Sequence, residues 1–141
     1  MTQEPQKFSV ILIDDDVSEK VIIERVFKSL TDFPFRLDHV TRCSAAIKLL
    51  DQRAYDLVLL DNRLSQRMSA KFSVPIIKQA IGASPMAVIS NDISPDYLQD
   101  PKALGVDYIV DKTDIIGFLK SQMSRLLGGG GPSAPHPEVV S

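Results

Sequence analysis

Five residues with chemical potential stand where short apolar runs stop. Val10-Ile11-Leu12-Ile13 stops at Asp14-Asp15-Asp16, and Leu57-Val58-Leu59-Leu60 stops at Asp61. Met86-Ala87-Val88-Ile89 stops at Ser90, and Tyr108-Ile109-Val110 stops at Asp111-Lys112. Carboxylates brought to ~4 Å at an effective dielectric of ~20 repel by about 4 kcal/mol per pair, so a gathered Asp14, Asp15 and Asp61 need a cation. Mg²⁺ suits them, because hard divalent ions prefer carboxylate and carbonyl oxygens and often bridge to a phosphate. A carboxylate beside such an ion can attack phosphorus and form an acyl phosphate. Asp61 is the best candidate for that role, since it stands alone at the end of the most apolar run. The Lys112 ammonium and the Ser90 hydroxyl are suited to the charge that develops on a phosphoryl group in transfer.

This chemistry requires the runs to end at one place. Short, continuously apolar runs read as strands buried on both faces of a parallel sheet. Helical patterns alternate with them, which makes a doubly wound α/β sheet with helices on both faces the expected architecture. Ligands in open sheets of this kind bind at the carboxyl ends of the strands. Five strands are expected, in the flavodoxin-like order 2-1-3-4-5, because the second run, Phe35–Val40, alternates like an edge strand.

The helices follow from spacing and caps. Ile22, Ile23, Val26, Phe27 and Leu30 repeat at helical spacing after Asp16, with Ser18 as the expected cap. A second helix is expected over 45–51, an irregular polar stretch over 62–69, and a third helix over 74–81. Ser94-Pro95-Asp96 opens a further helix and Gly105 stops it, with Pro101 shortening, kinking or splitting it in between. Thr113 is the expected cap of a last helix that turns Ile115, Ile116, Leu119, Met123, Leu126 and Leu127 inward. Residues 128–141 are rich in Gly, Pro and Ser and are expected to form a disordered tail, which leaves 1–127 as one domain.

Bulk properties narrow the function. A chain of 141 residues with 44% hydrophobic content accommodates one ordinary domain. The formal charge of -2 gives no basic face for nucleic acid or an anionic membrane. Cys43 is the only cysteine, so no internal disulfide or multi-cysteine metal site is available. The polar start has no apolar signal core, and no apolar stretch reaches the roughly 20 residues of a membrane span. A cytoplasmic protein is expected.

Taken in order, the motifs Ile11-Leu12-Ile13-Asp14-Asp15-Asp16, Tyr55-Asp56-Leu57-Val58-Leu59-Leu60-Asp61, Val88-Ile89-Ser90 and Gly105-Val106-Asp107-Tyr108-Ile109-Val110-Asp111-Lys112 resemble the receiver domains of two-component response regulators. The resemblance covers about residues 8–127. It implies that Asp61 accepts a phosphoryl group from the phosphohistidine of a sensor histidine kinase or a histidine phosphotransfer protein. It implies further that Asp14, Asp15, Asp61 and the backbone carbonyl of Arg63 hold Mg²⁺, while Ser90 and Lys112 bind the phosphoryl oxygens. A stand-alone receiver is then expected, a phosphoacceptor and not a true enzyme, signalling by contact with a downstream protein target. The chain departs from the family's pattern at Ser65 and Thr113, where proline is usual, and at Ile109, where an aromatic commonly stands.

Two other readings fit parts of the sequence. A degenerate receiver would bind partners without phosphorylation. Asp14-Asp15-Asp16-Val17-Ser18 also resembles the Asp-x-Asp-x-Ser pattern of haloacid-dehalogenase-like phosphohydrolases, with Asp14 as nucleophile, although that reading leaves Asp61 without a role. Arg63 and Asp92, two residues beyond Asp61 and Ser90, are expected to flank the phosphoryl group from opposite loops, either pairing across the mouth or standing as two independent solvated charges.

Overall fold

The structure, a computed structural model, describes residues 8–30, 34–65, 68–127 and 138–140. Each apolar run forms a strand: β1 (Phe8–Ile13), β3 (Leu57–Asp61), β6 (Met86–Ser90) and β7 (Tyr108–Asp111). With β2 (Phe35–Val40) they lie parallel in the order β2-β1-β3-β6-β7, the flavodoxin-like arrangement of five crossover-connected strands. A sixth strand, β8 (Glu138–Val140), adds to the free edge of β7 in parallel, with Tyr108 opposite Glu138 and Val110 opposite Val140. The sheet therefore has six strands where five were expected. Of the segment 128–141, expected as a tail, residues 138–140 pair in this strand, where β7 offers backbone groups that three extended residues satisfy, and the rest lies outside the described residues.

Alternation along the strands builds two cores. Ile11, Ile13, Val58, Leu60, Val88 and Ile109 face one side, under α2 (Cys43–Gln52) and α3 (Ala70–Lys78). Val10, Leu12, Leu57, Leu59, Ala87, Ile89 and Val110 face the other, under α1 (Val17–Leu30) and α5 (Ile115–Leu127). Each fully buried Leu, Ile or Val contributes about 1.5–3 kcal/mol. The layers thus hold the strand ends rigidly in register.

Several local expectations change. Asp16, not Ser18, caps α1: its Oδ1 accepts the Ser18 backbone N–H at 2.9 Å and the Ser18 hydroxyl at 2.6 Å. Ile22 lies on the solvent side of that helix. The stretch 62–69 contains a short antiparallel pair, β4 (Arg63–Ser65) and β5 (Met68–Ser69). Helix α3 starts at Ala70, four residues before the expected position, because Asn62 Oδ1 accepts the Ala70 N–H at 3.1 Å. A cap from a residue eight positions away leaves no mark in helical spacing.

Pro101 splits its segment. A 3₁₀ turn covers Asp96–Leu98, and a four-residue helix, α4 (Pro101–Leu104), starts afresh with Pro101 in its first turn and Asp100 accepting the Ala103 N–H. Gly105 ends it at φ 95°, a left-handed conformation that favours glycine. Asp111, not Thr113, caps the last helical segment, its Oδ1 accepting from the Thr113 N–H and hydroxyl. In α5 the buried face is Ile115, Phe118, Leu119 and Met123, while Ile116 is 54% exposed. The side chains of Leu126 and Leu127 lie outside the described residues.

Candidate functional site

The carboxyl ends of β1, β3, β6 and β7 meet at one edge of the sheet. Their register sets Ile13 opposite Leu60, Asp61 opposite Ile89, and Ser90 opposite Asp111, so the polar residues that follow converge. A cleft of about 260 Å³ opens there, lined by Asp15, Asp61, Arg63, Ser90, Asp92 and Lys112 among others. Asp14, Asp15 and Asp61 each place a carboxylate oxygen within 4.8 Å of the other two.

Asp14 is fully buried behind the cleft. Its Oδ1 accepts the Asp16 N–H at 2.9 Å, while its Oδ2 has no hydrogen-bond partner. Burial pushes its carboxyl up from 3.8 to about 7; the nearby Asp61 charge adds to the rise, and the Asp16 N–H and Lys112 oppose it. The backbone beneath is pinned from the edge strand: His39 Nε2 lies 2.7 Å from the Asp14 carbonyl oxygen, so the imidazole must donate there. His39, on the edge strand β2, thus helps to fix the backbone that carries Asp14.

Lys112 has three carboxylate neighbours. Its Nζ lies 3.4 Å from Asp61 Oδ1, 3.5 Å from Glu19 Oε1 and 3.7 Å from Asp14 Oδ2. Burial works against the ammonium, but the charges of Asp61, Asp14 and Glu19 outweigh it, and the pKa is raised. Lys112 therefore stays charged.

Ser90 closes the far side. Its hydroxyl donates to the Asp92 carbonyl at 2.8 Å and accepts the Asp92 N–H at 3.3 Å, which fixes the loop after β6. Asp92 also accepts the Ser94 N–H at 2.9 Å, and the Ser94 contacts hold its carboxyl below the usual range, with Arg63 as the smallest contributor. Among the described residues no ion pair joins Arg63 to Asp92. The two flank the mouth as separate solvated charges, because each is exposed and Asp92 is already held by its own loop.

The structure thus brings Asp14, Asp15, Asp61, Arg63, Ser90 and Lys112 to one place, and adds residues that spacing did not reveal. Glu19 reaches the site from the first turn of α1. Asn62, buried beside Asp61, accepts both the Ala70 N–H and the Tyr97 hydroxyl on its Oδ1. On β7, Ile109 is buried in one core and Tyr108 in the other. The Tyr108 ring meets Phe118 edge-on at 5.1 Å, and its hydroxyl accepts from Arg125 at 2.7 Å. Neither residue faces the cleft.

The donor set fits a hard divalent cation. Three acidic groups converge, a buried oxygen of Asp14 accepts no hydrogen bond, and that buried carboxyl holds a proton up to about pH 7 that a cation would displace.

No protein-family model matches the sequence, and no curated protein matches it. Solved structures do. The receiver domain of a sensor histidine kinase from Pseudomonas aeruginosa, with magnesium coordinated in its active-site cleft, is 17% identical at a TM-score of 0.69, covering 88% of this chain and all of that one. The phosphorylated cyanobacterial phytochrome response regulator RcpA is 21% identical at 0.67, over 91% of this chain and all of that one. A CheY-like receiver domain protein from Methanospirillum hungatei is 11% identical at 0.67, over 89% and 100%. At these identities the likeness is one of fold, and the chain has the CheY-like receiver fold of response regulators.

Proposed function

We propose that this protein is a phosphoacceptor receiver in which Asp61 takes a phosphoryl group from the phosphohistidine of a sensor histidine kinase or a histidine phosphotransfer protein. The observation that carries this reading is the contrast between Asp61 and Asp14: Asp61 lines the cleft beside Lys112, whereas Asp14 has no exposed surface. A nucleophile must reach its substrate. In the transfer, an Asp61 oxygen forms a bond to phosphorus as the phosphorus–nitrogen bond of the donor breaks, and the electron pair leaves with the imidazole. Lys112 and the Ser90 hydroxyl would hold the phosphoryl oxygens, which requires Ser90 to give up its bond to the Asp92 carbonyl.

Asp14, Asp15, Asp61 and the Arg63 carbonyl would hold Mg²⁺, which supplies charge neutralisation to the phosphoryl oxygens when bound. The protein then acts as a switch and not as a turnover enzyme, passing its state to a downstream protein target. The same reading takes the chain to be cytoplasmic; among the described residues no helix is long and apolar enough to cross a membrane.

Binding without phosphorylation is a second reading, favoured by one observation: Tyr108 is tied into the core, and Ile109 stands where receivers commonly carry a mobile aromatic. The phosphohydrolase reading with Asp14 as nucleophile loses ground to the burial of that residue.

Intact-mass measurement after incubation with phosphoramidate and Mg²⁺ tests the proposal. One added phosphoryl group that disappears in Asp61→Asn is expected. No mass change in the wild type would favour the second reading, and modification that survives Asp61→Asn but not Asp14→Asn would favour the third.

A further inference from the structure

Resting on the Mg²⁺-dependent reading above, the geometry points to Glu19 as a positioning residue that receives Lys112 when Mg²⁺ occupies the acidic group. Lys112 is shared by Asp61, Glu19 and Asp14 at 3.4, 3.5 and 3.7 Å. Two of those partners, Asp61 and Asp14, belong to the group of acids that can hold a metal, and Glu19 does not. A divalent ion among Asp14, Asp15 and Asp61 takes the lysine's anchors and repels its ammonium twice as strongly as a monovalent ion would. The ammonium is mostly buried, with its side chain 12% exposed, so it needs a carboxylate to remain close by.

Glu19 is that carboxylate. It sits in the first turn of α1, where the helix dipole favours negative charge. Among the described residues Lys112 is its only ion-pair partner, so it has no competing cation. Without Glu19, the lysine remains with Asp61 and Asp14 and competes with Mg²⁺ for them. Glu19 therefore favours the metal through the lysine, without touching it.

This mode of action has a signature that a general negative field lacks. Mg²⁺ titrations followed by amide chemical shifts, at constant ionic strength, should be run on the wild type, Glu19→Gln, Lys112→Met and the double variant. Glu19→Gln is expected to weaken Mg²⁺ binding by about fivefold, the size of a partly exposed ion-pair coupling. Lys112→Met should strengthen binding, and in that background Glu19→Gln should change it by less than about 1.5-fold. Equal weakening by Glu19→Gln in both backgrounds would show a direct field or ligand effect and overturn the assignment. So would an unchanged Mg²⁺ affinity in Glu19→Gln accompanied by a lower melting temperature, which marks a merely structural ion pair. Absence of Mg²⁺ binding by the wild type would instead overturn the metal reading itself.

Discussion

The Tyr97 hydroxyl donates a hydrogen bond to Asn62 Oδ1 at 3.0 Å, one residue beyond Asp61. The same oxygen accepts the Ala70 N–H, so one buried amide joins the residue after β3, the start of α3 and the 3₁₀ turn at Asp96–Leu98. The split segment after Ser94 is thereby tied to the Asp61 loop by a side chain and not by regular structure. Tyr97→Phe should cost about 0.5–1.5 kcal/mol, the net value of one hydrogen bond. It should also speed amide exchange over residues 96–104, where cooperative structure is short. Exchange as slow as in the parent protein would show that the turn is held by its apolar contacts alone.

Replacing Asn62 should be more damaging than replacing its partner. Asn62→Ala leaves the buried Ala70 N–H without an acceptor, which costs about 1–3 kcal/mol. Urea unfolding of the two single variants and their double checks this. The double is expected to be less destabilised than the sum, because the singles remove one shared interaction.

The raised pKa of Asp14 makes stability depend on pH. Its folded value, about 7, lies above the ordinary 3.8, so the native state holds a proton there that the unfolded chain has lost. Stability from this group is complete below about pH 4 and falls as pH rises towards 7, by at most about 4 kcal/mol. Asp14→Asn mimics the neutral acid and should be no more stable than the parent at pH 4 but clearly more stable at pH 8. Added Mg²⁺ at pH 8 should stabilise the parent and leave Asp14→Asn nearly unchanged. A stability difference between the two proteins that does not vary with pH would refute this account.

Arg63 and Asp92 flank the mouth of the cleft without pairing. Their effects on the lifetime of the phosphorylated state should therefore add: the barrier changes of Arg63→Ala and Asp92→Ala should sum in the double variant within about 0.3–0.5 kcal/mol. Dephosphorylation rates decide this. A double variant no different from either single would mean that the two charges come together once the phosphoryl group is present.

Strand β8 extends the sheet by only three residues. Removing residues 138–141 should leave the fold intact and lower stability by about 1 kcal/mol or less, since a short edge strand contributes little. The β7 amides should exchange faster in the truncated protein. Loss of cooperative unfolding on truncation would show that the packing of Val140 on the second core is essential.

The sequence by itself determined the sheet and the edge at which these polar residues gather. Strands buried on both faces must be apolar throughout, so the first polar residue after each run marks where the strand leaves the core. In a parallel sheet all such points lie on one edge. Asp14, Asp61, Ser90 and Lys112 were legible for that reason. Pro101 was legible as a break because its missing N–H is a local property. Glu19, Asn62 and Tyr97 were not legible, and neither was the strand at 138–140. Their roles depend on distances between elements far apart in the chain, such as 3.5 Å from α1 to Lys112 and 3.0 Å from Tyr97 to Asn62. No periodicity or cap signal encodes those separations. Only the packing of helices on the two faces of the sheet decided which polar side chains reach the cleft, and which, like Tyr108, are turned away into a core.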